Sequence, residues 1–324
     1  MRLSLQIKTS GALATLQDGG FATGRSFGIP VGGAADNWSH RLANILLQNR
    51  DELTTLEIAG GFFSAKVHGS GWLAAAGTGG FLYLNGKHEY HNRPVKVHDG
   101  DELEIRPESS GCYTYLSVKG GWEAQRVFNR EGTCLAAGFG GFKGRAMQPG
   151  DRLFAAQSFD VEILKPGLNW RIKDVFFSDL RPIRVMAGPE FHENHTLLFE
   201  QPYCITHRRN RMGVRLTATT PLSGAHSGSM ISVLVAPGII QAPPDGQLFV
   251  LFADAQTTGG YPRIAQVIAA DLPRLAQMPS GTNVRFRQVD LLEAEAALKK
   301  TEDALAKIRT ATRLHSLFLP PDDI

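Results

Sequence analysis

Apolar and polar residues alternate in short bursts along this chain, and turn residues interrupt almost every burst. Val95-Lys96-Val97 and Leu103-Glu104-Ile105 alternate on either side of Asp99-Gly100, the pattern of a β-hairpin with a tight turn. The same turn-then-strand grammar recurs at residues 148–154 and 279–286. The first and third of these units fit strands closing two comparable β-barrels, without amounting to a sequence repeat. Residues 248–253 form an unbroken apolar run, as expected of a buried strand. Short strands with a turn signal every eight to twelve residues or so predict barrels or sandwiches.

Helical periodicity is scarcer. Residues 36–49 begin with Asp36 as a candidate N-cap and put Trp38, Leu42, Ile45 and Leu46 near one face. Residues 264–276 carry a second helical pattern, interrupted by Pro273. Residues 291–308 are rich in strong helix formers, and Leu291, Ala294, Leu298, Leu305 and Ile308 line an apolar stripe suited to the body or a partner. The following Leu317-Phe318-Leu319-Pro320-Pro321 is expected to dock or fray. The fold class is therefore mainly β: two β-barrel-like domains at 1–175 and 176–290, few short helices, and a C-terminal helix and tail at 291–324.

Composition narrows the function classes. A chain of 324 residues with 43% hydrophobic and 20% charged residues is an ordinary globular protein with ample core. The net charge of 34 − 31 = +3 does not point to nucleic acid. His207-Arg208-Arg209-Asn210-Arg211 is expected to be a solvated or ligand-facing turn. The first twenty residues lack the apolar core of a signal peptide, and the longest apolar stretches, such as 233–240, are too short for a membrane span. Cys112, Cys134 and Cys204 are odd in number and scattered, which favours a reducing cytoplasm over disulfides or a zinc site. The expected partners are a small molecule and other protein chains, with no nucleic acid and no membrane.

Several motifs fail on inspection. Gly69-Ser70-Gly71-Trp72-Leu73-Ala74 fits a relaxed dinucleotide fingerprint, but Gly77, Gly79 and Gly80 would break the helix it needs. Gly138-Phe139-Gly140-Gly141-Phe142-Lys143-Gly144 lacks P-loop spacing; it is either an anion wrap using Lys143 or a tightly turned surface loop. His88, His91 and His98 have no supporting acids or cysteines for a metal site. No G-x-S-x-G elbow is present.

Three polar constellations remain. Asp254, Gln256, Thr257 and Thr258, then Gly259-Gly260-Tyr261-Pro262, follow the buried run at 248–253. Massed polar groups there are costly unless partnered, so this is a hydrogen-bonded turn or a ligand site. Thr15-Leu16-Gln17-Asp18-Gly19-Gly20 and Gly32-Gly33 before Asp36 suit an anion at a helix N-terminus or a tightly packed turn. Arg211 in R-M-G-V-R-L could clamp a carboxylate or phosphate; Asp245-Gly246 is a hairpin turn by default, and Gln241 a strand residue.

The order T-L-Q-D-G-G, G-I-P-V-G-G-A-A-D-N-W-S-H-R-L-A-N, R-M-G-V-R-L, A-P-G-I-I-Q-A-P-P-D-G-Q and Q-T-T-G-G-Y-P-R-I-A-Q-V-I-A-A-D-L resembles the allophanate hydrolase subunit 2 family. This is also called the biotin-dependent carboxyltransferase family, and it includes the C component of 5-oxoprolinase. The resemblance runs from about residue 10 to 290. It implies a cyclophilin-like barrel, assigned here to the C-terminal domain, and a partner of the subunit 1 type, the B component. It also implies a third, lactam-hydrolase partner, the A component, with which ATP opens 5-oxo-L-proline to L-glutamate. Two alternatives accompany that activity: the carboxyltransferase subunit of a biotin-dependent urea or amide carboxylase, or a non-catalytic partner that antagonises a kinase-inhibitor subunit. There is no Met-Lys-Met segment, so biotin is not expected to be attached to this chain.

Under that resemblance Asp254, Asp245 and Asp18 are the catalytic candidates, holding a metal or orienting the substrate N–H. Gln17, Arg211, Gln241, Gln256, Thr257, Thr258 and Tyr261 are the substrate-binding candidates, and Gly32, Gly33 and Lys143 the anion-binding ones. ATP, with or without Mg, is expected at the level of the complex; no metal ligand set is assigned. Phe21 and Ala255 stand where the family usually has arginine. Losing two donors would remove charge-assisted bonds of about 1.5–3 kcal/mol each. Arg25, Arg211 or Arg263 is then expected to substitute, unless the ligand differs or catalysis is lost.

Overall fold

The computed structural model describes residues 2–108, 110–157, 171–173, 177, 181–222 and 230–318. Its first part is built from β1 (Ser4–Ser10), β2 (Leu13–Gln17), α1 (Asn37–Leu46), β3 (Thr55–Ala59), β4 (Phe63–His68), β5 (Gly71–Gly77), β6 (Gly80–Leu84), β7 (Lys87–Glu89), β8 (Pro94–Val97), β9 (Glu102–Pro107), β10 (Tyr113–Val118) and β11 (Arg152–Phe154). They form a six-stranded sheet, β11-β1-β4-β9-β6-β7, and a five-stranded sheet, β2-β3-β10-β5-β8. Leu5, Ile7, Leu16, Leu56, Phe63, Leu116 and Trp122 close the core between them.

Alternation in β2 and β3 has an unusual consequence. Ala14, Leu16, Leu56 and Ile58 face that core. The opposite positions, Thr15, Gln17, Thr55 and Glu57, are also buried, at 0 to 2% exposure. Strand period two therefore delivers a polar face into the interior. Helix α1 has Asp36 as its N-cap, with the carboxylate accepting the Ser39 N–H at 3.0 Å, as the sequence pattern predicts.

The remainder comprises β12 (Ile183–Ala187), α2 (Leu197–Glu200), β13 (Tyr203–Asn210), β14 (Gly213–Thr217), β15 (Val233–Leu234), β16 (Ile239–Gln241), β17 (Leu248–Leu251), β18 (Thr258–Gly259), β19 (Arg263–Val267), α3 (Leu272–Gln277), β20 (Asn283–Val284), β21 (Phe286–Gln288) and α4 (Leu291–Phe318). Eight strands form one sheet in the order β20-β13-β14-β17-β16-β19-β12-β21, a near-barrel around Val185, Ile205, Leu216, Ile240, Val250 and Ile264. The mainly β architecture with few helices and a C-terminal helix is the one expected.

Several local expectations are corrected. β8 and β9 do not pair with each other: β8 pairs with β5, and β9 with β4 and β6. Asp99-Gly100 is a corner between sheets, because alternation reports which face is buried and not which strand is adjacent. Residues 264–276 are not one helix; Arg263–Val267 is a strand, and only Leu272–Gln277 is helical, with Pro273 in the first turn where its missing N–H is harmless. Residues 207–210 belong to β13 rather than a turn. The C-terminal helix runs to Phe318, past the expected end; residues 319–321 of the tail lie outside the described residues. Leu305 packs with Trp38 and Ile45, but Leu291 and Leu298 of its apolar stripe are exposed. No helix among the described residues is long and apolar enough to cross a membrane.

Candidate functional site

The hairpin between β13 and β14 aims Arg211 inward, where it is 4% exposed. Gly213 permits the close approach, since a Cβ there would stand 2.5 Å from the Val250 carbonyl oxygen. The Arg211 guanidinium donates from Nε to Asp254 Oδ2 at 2.8 Å and from Nη2 to Oδ1 at 2.8 Å. Nη2 also donates to the Gly33 carbonyl at 2.7 Å, and Nη1 to Glu57 Oε1. Burial disfavours its charge, yet Glu57 and Asp254 outweigh that and hold its pKa well above the ordinary arginine value.

The chain of bonds continues inward. Glu57 Oε2 accepts from the Tyr115 hydroxyl at 2.7 Å and from the Ala35 N–H at 2.9 Å. The Tyr115 oxygen accepts the Asp36 N–H at 2.7 Å. Burial, then the Glu57 and Asp36 charges, push the Tyr115 phenol well above its usual range, so it remains a donor. Asp36 also accepts from Gln277 Nε2 at 2.8 Å, and Gln277 Oε1 accepts the Cys112 and Tyr113 N–H groups at 3.0 and 2.9 Å. One buried polar path thus joins the first sheets, α1 and the C-terminal sheet.

Asp254 is the member nearest solvent, with a side chain 14% exposed. Its chain neighbour Ala253 lines a cavity of about 250 Å³, together with Asp18, Gly32, Trp38, Pro273 and Leu305 among others. A Cβ on Gly32 would lie 4.0 Å from Asp254 Oδ1, so the carboxylate is close to one of that cavity's lining residues. Gln256, Thr257, Thr258 and Tyr261 follow it with Thr258 and Tyr261 exposed. Among the described residues, none of these four side chains forms a hydrogen bond, so their polar groups are available to a ligand. The backbone between them is ordered by the Val235 N–H to Thr257 carbonyl bond at 3.0 Å and by β15–β18 pairing.

Of the other predicted residues, Arg211 holds Asp254, and Asp18 and Gly32 line the cavity, yet each is committed to protein partners. Arg211 has four of its N–H bonds directed at protein acceptors, which makes it an internal strut rather than an open anion clamp. Asp18 locks a loop, accepting the Gly20 N–H at 2.9 Å and the Glu131 N–H at 2.8 Å. Gln17 is fully buried, with Nε2 3.0 Å from the Thr15 hydroxyl. The Gly32 N–H donates to the Ala253 carbonyl at 2.7 Å, and the Gly33 carbonyl is taken by Arg211, so both glycines serve the fold. Gly33 must be glycine: its φ is +75°, and a Cβ would meet the Gly20 nitrogen at 2.6 Å.

Asp245 sits in the β16–β17 turn, bonded to Arg215 at 2.8 Å. The β14–β17 register, Gly213 opposite Leu251 and Leu216 opposite Leu248, puts that turn at the other end from Arg211. Gln241 is buried under Gly259, whose Cβ would meet its Nε2 at 2.6 Å. Lys143 is exposed over the Phe142 ring at 5.2 Å. The glycine-rich loop around it is tightly turned, with the Gly138, Gly141 and Gly144 N–H groups donating to Cys134, Glu131 and Gly140 carbonyls.

Both departures from the family pattern are packing positions. Phe21 is fully buried, edge-on to Phe139 at 5.5 Å. Ala255 is buried with Val235 and Leu251. Arg263 is paired with Glu190 at 2.7 Å, and Arg25 uses one N–H on the Val235 carbonyl, beside the strand that pairs with Thr258 and Gly259. Glu57, Tyr115 and Gln277 are the members that sequence reasoning missed. The signal for Glu57 was an acid between Leu56 and Ile58 in a strand, legible only once both faces are known to be buried.

Comparison with known proteins places the whole chain in a family. A sequence model of the carboxyltransferase domain, subdomain A and B, matches residues 27–288. The chain is 34% identical over 317 residues to the C component of 5-oxoprolinase from Escherichia coli (strain K12), spanning 96% of this chain and 99% of that one. It is 26% identical over 333 residues to urea amidolyase of Saccharomyces cerevisiae, covering 97% of this chain but 18% of the relative. Among solved structures, TTHA0988 superposes with a TM-score of 0.79 at 27% identity, covering 88% of this chain and 56% of that one. This chain therefore belongs to the carboxyltransferase domain family, subdomains A and B.

Proposed function

We propose that this chain is the C component of an ATP-dependent 5-oxoprolinase complex, helping to convert 5-oxo-L-proline to L-glutamate with a B-component homologue and a lactam-hydrolase A component. The observation that carries the reading is the Asp254 carboxylate, pinned through both oxygens by a buried arginine and followed in the chain by Gln256, Thr257, Thr258 and Tyr261, whose side chains are uncommitted among the described residues. Likeness over nearly the full length of the Escherichia coli C component supports the same assignment.

The chemistry follows from amide resonance, which makes a lactam carbonyl a poor electrophile. Phosphorylation of that oxygen gives a labile species open to water, and such a step needs positioning and charge stabilisation more than a nucleophile. A carboxylate held in a bidentate arginine pair is a well-oriented hydrogen-bond acceptor. Asp254 would thus receive the lactam N–H, while Thr257, Thr258 and Gln256 bond its oxygens. The described residues contain no cluster of three or more metal-ligating side chains, and the Gly138, Gly141 and Gly144 N–H groups are bonded to backbone carbonyls. In this reading nucleotide and any Mg are handled by a partner protein.

A second reading, carboxyl transfer from biotin to urea or a related amide, is supported by the urea amidolyase relatives. Co-expression with neighbouring components separates the two. The first predicts ATP-dependent glutamate release from 5-oxoproline, strongly lowered but still measurable in an assembled Asp254→Asn complex. Bicarbonate-dependent carboxylation of urea, with no glutamate release, would establish the second instead.

A further inference from the structure

We infer that Glu57 is a positioning residue: through Arg211 it sets where the Asp254 carboxylate stands, in the reading above where Asp254 accepts the substrate N–H. Glu57 is 2% exposed in the middle of β3, where a charge costs several kcal/mol unless partnered. Its partners form a set drawn from rigid elements. Oε1 receives Arg211 Nη1, and Oε2 receives the Tyr115 hydroxyl of β10 and the N–H of Ala35 just before α1. Tyr115 is held in turn by the Asp36 N–H.

Arg211 and Asp254, by contrast, sit on a hairpin turn and a loop. A guanidinium held only by Asp254 and the Gly33 carbonyl can pivot together with its carboxylate. The bond to Glu57 adds a third direction and fixes the planar group against the strand core.

The test is a double-mutant cycle on the assembled complex. Glu57→Gln keeps the shape and is expected to lower kcat/KM for ATP-dependent glutamate release about 10–100-fold, the loss typical of misplaced groups. In an Asp254→Asn background the same change is expected to have almost no effect, because its route is gone. An equal loss in both backgrounds means Glu57 acts independently of Asp254, which overturns the inference. If the wild-type complex releases no glutamate, the proposed function fails, and the inference is then decided on this full chain by itself, through hydrogen exchange of the Arg211 Nε–H. Exchange about ten-fold faster in Glu57→Gln supports it; unchanged exchange overturns it. Should Glu57→Gln not fold, Tyr115→Phe removes one oxygen and is read by both measurements, with an expected effect of about 3–10-fold.

Discussion

Replacing Arg211 by methionine distinguishes an internal strut from a ligand clamp. The substitution keeps an unbranched apolar stem but removes the cation shared by Glu57 and Asp254, and it strips the donor from the Gly33 carbonyl. With Arg211 at 4% exposure and Glu57 at 2%, both charges are shielded from water. Breaking a buried pair from one side costs about 3–5 kcal/mol, because an uncompensated charge remains. That is a large share of the roughly 5–15 kcal/mol that stabilises a typical protein. Arg211→Lys retains the charge but cannot form the bidentate fork, so a smaller loss of about 1.5–3 kcal/mol is expected. Adding Glu57→Gln and Asp254→Asn to Arg211→Met removes the stranded charges, and stability should largely return. Urea unfolding followed by tryptophan fluorescence and circular dichroism measures all three variants. If Arg211→Met loses less than about 1 kcal/mol, the strut is wrong, and a drop in anion affinity in that variant would restore the clamp expected from sequence.

Further outcomes follow from the same geometry. Burial, then the Arg41 charge, lower the His40 pKa to about 3, and its Nδ1 lies 2.8 Å from the Thr55 hydroxyl. The unfolded chain takes up that proton near pH 6.5 and the folded one does not, so stability is full above about pH 6.5 and falls by up to about 1.4 kcal/mol per unit toward pH 3. His40→Gln should flatten that slope in denaturation series; an unchanged slope excludes His40 as its source. Ala255→Arg, which restores the usual family residue, inserts a charge among Val235 and Leu251 and should cost about 3 kcal/mol or more without raising turnover. An active, equally stable Ala255→Arg protein would refute the packing explanation. Gly33→Ala should destabilise by about 1–3 kcal/mol, from positive φ and contact with Gly20, and a silent substitution in thermal unfolding would contradict it.

Much of the candidate site was legible in the sequence, in a particular way. Asp254 and the polar residues after it were marked by their place at the end of a buried strand, and Arg211 by its motif. Their roles were not legible, because a guanidinium's function depends on which acceptors surround it. Asp245 illustrates the limit: it carries the same chemistry as Asp254, but strand register puts it at the opposite end of β17. Phe21 and Ala255 looked like missing donors, whereas packing makes them filled apolar positions.

The sequence by itself determined the β character, the cap and face of α1, the C-terminal helix and the family, since these depend on local periodicity, turn residues and ordered motifs. Only the tertiary structure decided that β8 and β9 part company, that residues 263–267 are a strand, and that Glu57 meets Arg211 across 154 positions. The physical reason is common to all three. Backbone pairing and buried charge are satisfied by whichever partner the fold brings within hydrogen-bond reach, and separation along the chain carries no record of that distance.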